Sequence, residues 1–287
     1  MSEVTKFPVF KSVGEVFSGV TRHYFDLIKA APIAIVIFAA ANVFMTYLSD
    51  SPWALEMSLK KRAETAAEII PFLPFMASTI FAFVFYYVAV VMAAVRWHRF
   101  VLIGDHNAPV WSRYDGRYMW TNIKMMLAMI GMILVSSIFF SAAQRIYNDQ
   151  TGLPLALKVI GGAGLALIFL MLLMWVVRVS LAFPDAALGG SGKIGNALWR
   201  TTGYSWRLLG YFMLILLPLA FAAMIAGKAM EKIIVPAIAP RVTDVAGYEA
   251  VAAEALLLPL SIYVLMAQVT MLSVAYREII GLPQSEA

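Results

Sequence analysis

The chain has 287 residues, of which 62% are hydrophobic and 14% are charged, with a formal net charge of +5 and no cysteine. This composition lies outside the range of soluble globular domains and indicates an integral membrane protein. The absence of cysteine excludes disulfides, thiolate metal sites and a cysteine nucleophile. Because the cations cluster beside apolar stretches, we interpret the positive charge as a topology signal and expect no nucleic-acid partner.

The stretch before the first span has helical periodicity. Val16 and Val20 belong to an apolar stripe, and Lys11 and Arg22 lie on the opposite side. This pattern predicts an amphipathic helix on the membrane surface. A cleavable signal peptide ending at residues 39–41 is the alternative, which the long polar lead and the spanning length of the apolar run disfavour.

Six apolar stretches of spanning length follow. They cover about Ala30 to Leu48, Ile69 to Val95, Met125 to Ala143, Leu157 to Val177, Leu208 to Ala226 and Ala250 to Ala275. Lipid offers no hydrogen-bond partner to the backbone, so each stretch is expected to be helical. The predicted fold class is an all-α polytopic membrane protein with six transmembrane helices arranged as three hairpins. Pro74, Pro218 and Pro259 lie inside predicted spans and predict kinks.

Lysine and arginine are distributed unequally between the two sides. Fourteen fall at the termini and in the second and fourth loops, and eight fall in the other loops. By the positive-inside rule, both termini are expected in the cytoplasm. Six tryptophans lie near the same predicted boundary, where indole rings anchor helices: Trp97, Trp111, Trp120, Trp175, Trp199 and Trp206.

An element with two cations seven residues apart occurs three times, each time next to an odd-numbered span. The pairs are Arg22 and Lys29, Arg117 and Lys124, and Arg200 and Arg207. Seven residues make about two helical turns, so each pair is predicted to share one face of an amphipathic interfacial helix that precedes its hairpin. We therefore predict a single integral domain over 1–287, with pseudo-repeats at about 9–95, 108–177 and 194–275.

Further cations end the even-numbered spans, and with the three pairs they make up the predicted lipid-phosphate site. Its members are Arg22, Lys29, Arg96, Arg117, Lys124, Arg178, Arg200, Arg207 and Arg277. Such a set predicts a ring of cations that binds anionic phospholipid at one membrane face. The alternative is the positive-inside rule alone, with each cation reaching a headgroup independently.

Other polar residues carry weaker signals. His98, Asp105 and His106 resemble metal ligands, but a polar turn is the favoured interpretation and no metal or cofactor is expected. Glu254 lies about one turn inside the sixth span, where an ionisable group is a functional hypothesis, although a shift of one turn places it at the interface. The run Gly189–Lys193 resembles a phosphate-binding loop but lacks its full pattern, so a flexible loop is favoured.

Small polar residues within the spans are interpreted as helix-to-helix hydrogen-bonding groups rather than as the lining of a pore. They include Asn42, Ser78, Thr79, Ser137, Gln268 and Thr270. Glu64 and Glu68, before the second span, are interpreted as members of a solvated helix.

Three stretches together resemble poorly characterised bacterial six-span families related to the membrane domain found beside glycerophosphodiester phosphodiesterases. They are Val95–Gly104, Arg178–Gly189 and Leu198–Thr201. The resemblance implies an inner-membrane location and little about chemistry. The hydrolytic domain that accompanies some of these proteins is not recognisable here, so we expect no phosphodiesterase activity.

The expected function is that of a non-catalytic structural or accessory component that engages anionic phospholipid and a protein partner or a second copy. A permease for a small or lipid-like solute is the alternative, and an enzyme of lipid metabolism comes third. A cavity at mid-membrane between kinked spans would favour the permease. Lipid-facing grooves would favour the accessory component, and a cluster of Glu64, Glu68 and Glu254 would favour the enzyme.

Overall fold

The computed structural model describes residues 7–49, 51, 54, 72–105, 109, 111–148, 155–234 and 248–282, which contain helices and turns but no strand. The α-helices are α1 (Val9–Ala30), α2 (Pro32–Ser49), α3 (Leu73–Ile103), α4 (Arg113–Asn148), α5 (Leu155–Val179), α6 (Ala182–Ala187), α7 (Ile194–Arg200), α8 (Ser205–Ala229) and α9 (Tyr248–Ile279). A π-helical turn, Met230–Ile234, follows α8. The all-α prediction is confirmed.

Six helical stretches are long and apolar enough to cross a membrane, as predicted. They are Pro32–Ser49, Leu73–Ile103, Arg113–Ile138, Gly162–Ala187, Ser205–Ala229 and Ala250–Ile279. The chain is therefore a multi-pass membrane protein. Glu254 lies within the sixth stretch and is half-buried.

Proline positions explain where two spans begin. Pro32 is the first residue of α2, and Pro74 lies in the first turn of α3. The first N–H groups of a helix have no intrahelical acceptor, so proline costs nothing there and its fixed φ suits the helix. The kink predicted at Pro74 is therefore wrong. Pro218 and Pro259 do lie inside α8 and α9.

The chain divides into two compact units, each assembled from separate stretches. Unit 1 consists of Met1–Val16, Arg113–Leu214 and Met271–Ala287, and unit 2 consists of Phe17–Ser112 and Ile215–Thr270. The single domain and the three pseudo-repeats stay predictions.

In unit 2, α2 packs along α3. Their buried small residues include Ala34 and Ala41 of α2 and Ala82 and Ala89 of α3. Small side chains let two helix backbones approach closely within a membrane. Phe38 and Tyr86 add a ring contact of 5.3 Å between the same helices.

The apolar stripe of α1 faces protein rather than lipid. Val16, Val20 and Leu27 are all buried. In unit 2, the Tyr24 hydroxyl donates a 3.0 Å hydrogen bond to the carbonyl of Pro259 in α9. Partial burial raises the pKa of Tyr24 above its usual value. The helix is amphipathic as predicted and contacts α9, and its place on the membrane surface stays a prediction.

Unit 1 is held together by aromatic residues. The rings of Tyr118 in α4 and Phe183 in α6 lie 5.0 Å apart. Phe7 meets the edge of Tyr211 at 5.2 Å. The buried Tyr211 hydroxyl donates a 3.0 Å hydrogen bond to the carbonyl of Met271. These contacts join α8 to the end of α9 and to the residue that precedes α1.

Trp97 differs from the tryptophans that were predicted to anchor the protein at the membrane boundary. Its side chain is buried, it stacks on Phe100 at 4.8 Å, and its indole N–H donates a 2.7 Å hydrogen bond to Thr270. The anchoring role is therefore wrong for Trp97, and the helix-to-helix role predicted for Thr270 is confirmed. The exposed tryptophans are Trp111, Trp120, Trp199 and Trp206.

Several other small polar residues hydrogen bond within their own helix, so the helix-to-helix prediction is wrong for them. The donors are Asn42, Ser78, Thr79 and Ser137. Each donates to a carbonyl three or four residues earlier. This is the usual way for a hydroxyl or amide to be satisfied inside a span.

Candidate functional site

The three paired-cation segments do not share one backbone form. The first segment belongs to α1, which ends at Ala30 and is separate from the span α2. Arg117 and Lys124 lie within α4, which continues into its span. In the third segment α7 ends at Arg200, and Arg207 lies in the next helix, α8. The prediction of a separate interfacial helix is therefore wrong for the second segment, and the shared face is wrong for the third pair.

Side-chain caps explain why α7 ends at Arg200. The guanidinium of Arg178 donates to the carbonyl of Leu198 and, at 3.0 Å, to the hydroxyl of Thr201. Basic side chains often bind the last carbonyls of a helix in this way. Gly203 then takes a left-handed φ of 88°, which suits a residue without Cβ. Arg178, predicted as a lipid ligand, is engaged in holding this turn.

The other two cations that end even-numbered spans are also engaged with protein groups. Arg96 is buried and donates to the carbonyl oxygens of Met92, at 2.7 Å, and Pro109. Arg277 forms a 2.5 Å ion pair with Glu15. Burial keeps Arg96 away from any lipid phosphate. The cations at the ends of the even-numbered spans thus stabilise turns and helix contacts.

The paired cations are more accessible. Exposed members are Arg22, Lys29, Arg117, Arg200 and Arg207, while Lys124 is half-buried. They are divided between the two units, so their arrangement as one ring stays a prediction.

The loop Gly189–Lys193, for which the sequence favoured a flexible loop, makes hydrogen bonds to its neighbours. Arg117 of α4 donates to the Gly189 carbonyl, and the Gly192 N–H donates a 2.8 Å hydrogen bond to Asp185. Gly192 has a φ of 56°, and a Cβ there would lie 2.4 Å from the Thr121 hydroxyl oxygen. Only glycine fits that position without displacing a neighbour.

Asp185 organises this region of unit 1. Its Oδ2 accepts the Gly192 N–H, and its Oδ1 accepts the Tyr276 hydroxyl of α9 at 3.2 Å. A Cβ at Gly190 would lie 2.5 Å from Oδ1. No motif or periodicity in the sequence predicted a role for Asp185. The sequence feature that could have indicated this role is a single carboxylate between a span and a glycine-rich run.

A small polar cavity of about 200 Å³ lies beside this loop. Its lining consists of Leu181, Ala182, Asp185, Ser191, Lys193, Asn196, Ala197, Arg200, Tyr276 and Ile280. The two cations, seven residues apart, that line one cavity are therefore Lys193 and Arg200. Lys193 immediately precedes α7 and Arg200 ends it, whereas Arg207 lies beyond the turn.

A larger groove lies between α4 and α5 in unit 1, with a volume of about 640 Å³. Its lining is apolar apart from Ser136 and Ser137, and Met132, Phe169 and Leu172 are typical members. Ser137 already donates to the carbonyl of Leu134, so the groove provides few hydrogen-bonding groups for a polar ligand. Its shape and lining suit an acyl chain.

Unit 2 contains a third cavity, of about 350 Å³, between α2, α3, α8 and α9. Its polar lining is contributed by Asn42, Tyr86, Ser261 and Gln268. These residues lie near the middle of their helices, so the cavity lies at the depth of a span interior.

Among the described residues, the remaining candidates from the sequence have separate surroundings. His98 is buried in α3, whereas Asp105 forms a 2.7 Å ion pair with Arg99. His106 lies outside the described residues, as do Glu64 and Glu68. Within the ranges that the structure describes, no group of three histidine or acidic side chains is placed to hold a metal ion.

No protein-family model, curated protein or solved structure matches this chain.

Proposed function

We propose that this protein is a non-catalytic structural or accessory component of the bacterial inner membrane that engages anionic phospholipid and a protein partner. The proposal places both termini in the cytoplasm, on the strength of the unequal distribution of cations. Two parts of the proposal rest on the sequence alone. They are the protein partner and the resemblance to the phosphodiesterase-associated membrane domain.

One observation carries the lipid part of the proposal: an exposed aromatic ring accompanies the cations in every paired segment. The exposed fractions are 69% for Phe25, 59% for Trp120, 79% for Trp199 and 65% for Trp206. Large rings left in water are costly, whereas the headgroup layer accepts apolar rings and also solvates the polar indole N–H of the three tryptophans. Cations beside such rings lie at the height of the lipid phosphates, where each contributes about 1 kcal/mol of attraction to an anionic surface.

The apolar groove between α4 and α5 supports the same proposal. It opens to the outside of unit 1, where neighbouring apolar side chains such as Ile133 and Phe169 are exposed. Lipid-facing grooves were the feature expected of an accessory component rather than of an enzyme.

The test is lipid retention by native mass spectrometry after extraction in mild detergent. Arg22→Gln with Lys29→Gln removes two exposed cations from α1, and we expect about 30-fold weaker retention of phosphatidylglycerol, since two contributions of about 1 kcal/mol add to about 2 kcal/mol. Raising the salt concentration should reproduce part of the loss in the wild type.

Lys11→Gln with Lys232→Gln is the matched control, because it removes two exposed cations that lie outside the predicted set. This variant should keep its lipid. Equal retention by both double variants would leave the cations as a topology signal only and refute the lipid proposal.

A second function, a permease for a small or lipid-like solute, is favoured by the cavity in unit 2. Four spans line it, and two of them contain an internal proline, Pro218 in α8 and Pro259 in α9. Broken or kinked spans around a central cavity are common in transporters.

Cysteine labelling tests this alternative, since the chain has no native cysteine. Ser261→Cys lies in the cavity, and Leu256→Cys lies on an exposed part of the same helix. Modification of Ser261→Cys, but not of Leu256→Cys, by a membrane-impermeant thiol reagent would support the permease. Protection of both would argue for a dry cavity and against it.

A further inference from the structure

The cavity beside the loop Gly189–Lys193 has the features of a specific anion site. Asn196, Ala197 and Arg200 lie along one face of α7, and Lys193 is the residue just before the helix. Two cations and an amide from this short segment therefore line the same cavity. The hydroxyl of Ser191 joins them from the loop.

The frame of the cavity is built before any ligand arrives. Asp185 receives hydrogen bonds from Gly192 and Tyr276, and Arg117 binds the Gly189 carbonyl. These contacts fix the loop to α4 and α6, and they join α6 to α9. A preorganised frame reduces the entropy lost when a ligand is bound.

The charges around the cavity favour an anion. Lys193 and Arg200 oppose the single charge of Asp185, and both oxygens of that carboxylate already accept hydrogen bonds. Within the part of the chain that the structure describes, neither Lys193 nor Arg200 forms an ion pair. The two cations are thus available to an external anion.

The donors match a phosphate group. Lysine, arginine, serine and the amide of asparagine all donate, and a tetrahedral phosphate has enough oxygens to accept from four directions. The volume of about 200 Å³ is below the range of roughly 300 to 1,000 Å³ typical of sites for larger ligands. A phosphate with a small substituent fits better than a nucleotide.

We infer that this cavity binds the phosphate group of a small phosphoester, presented either by a phospholipid headgroup or by a soluble molecule such as glycerol phosphate. The inference deepens the proposed function, and it shares one cation, Arg200, with the predicted set. It differs in assigning the phosphate to Lys193, Ser191 and Asn196, which that set does not contain.

The experiment uses the full-length protein in phosphatidylcholine nanodiscs. One arm titrates inorganic phosphate and glycerol phosphate by calorimetry, and the other adds phosphatidylglycerol to the nanodisc and counts bound lipid by native mass spectrometry. The variants are Lys193→Gln with Arg200→Gln, and Ser191→Glu, which places a negative charge on an exposed rim residue. Lys11→Gln is the control, because Lys11 is an exposed cation that lies outside both the cavity and the predicted lipid-phosphate set.

Binding of the soluble probes that Lys193→Gln with Arg200→Gln weakens by about 30-fold, and that Ser191→Glu also weakens, with Lys11→Gln unchanged, would support a soluble phosphoester. The same pattern in the lipid arm alone would support a headgroup. Wild-type protein that binds neither, or binding that the cavity variants leave unchanged, would overturn the site. The variant Arg22→Gln with Lys29→Gln distinguishes the two proposals. If it loses phospholipid while Ser191→Glu binds phosphate as the wild type does, only the cavity site is refuted.

Discussion

Replacing Thr270 by valine should destabilise the protein by about 1 to 2 kcal/mol. The indole N–H of Trp97 donates to the Thr270 hydroxyl at 2.7 Å, and the two side chains are only 1% and 3% exposed. Valine keeps the volume but leaves a buried donor without its acceptor, which costs about 1 to 3 kcal/mol in protein interiors. Hydrogen bonds between membrane helices average about 0.6 kcal/mol, so the lower part of that range is expected.

A double-mutant cycle isolates this hydrogen bond from packing effects. In a Trp97→Phe background the donor is absent, so Thr270→Val should cost about 1 kcal/mol less than it does in the wild type. Thr270→Ser is the control, because serine keeps the acceptor and its cost should be similar in both backgrounds. Reversible unfolding in mixed SDS and detergent micelles, followed by helical circular dichroism, supplies the free energies. A coupling within about 0.3 kcal/mol of zero would refute the reasoning.

Three further predictions concern a glycine, an ion pair and the membrane topology. Gly192→Ala should lower the melting temperature, because a left-handed φ costs a non-glycine residue about 1 to 2 kcal/mol and the new Cβ meets Thr121, whereas Gly195→Ala, which meets nothing within 4 Å, should not. Arg277→Gln should cost about 1 kcal/mol or less, since the ion pair with Glu15 is about one-third exposed, and the loss should shrink in a Glu15→Gln background to the share of the 3.3 Å pair with Glu278. Reporter fusions after Asn148 should report the outside and those after Gly192 the cytoplasm, and a cytoplasmic signal at Asn148 would reverse the orientation.

The sequence alone determined the all-α class and the six apolar stretches of spanning length. Hydropathy over an 18-residue window is a local property, and a backbone in lipid has to satisfy its own hydrogen bonds, so composition suffices to predict helices there. Helix starts were also readable in retrospect, because Pro32 and Pro74 favour the first turn. The amphipathic character of α1 likewise follows from spacing alone.

Tertiary structure decided what each polar or aromatic residue does. Trp97 and Trp199 both lie next to an arginine near a predicted boundary, yet one is buried against Thr270 and the other is exposed. Arg200 lines a cavity together with Lys193 and not with Arg207, because Arg178, 20 residues before Leu198, caps α7 and ends it. Asp185 meets Tyr276 across 91 residues of chain. Contacts of this kind depend on which helices become neighbours, and no periodicity within a single helix encodes that.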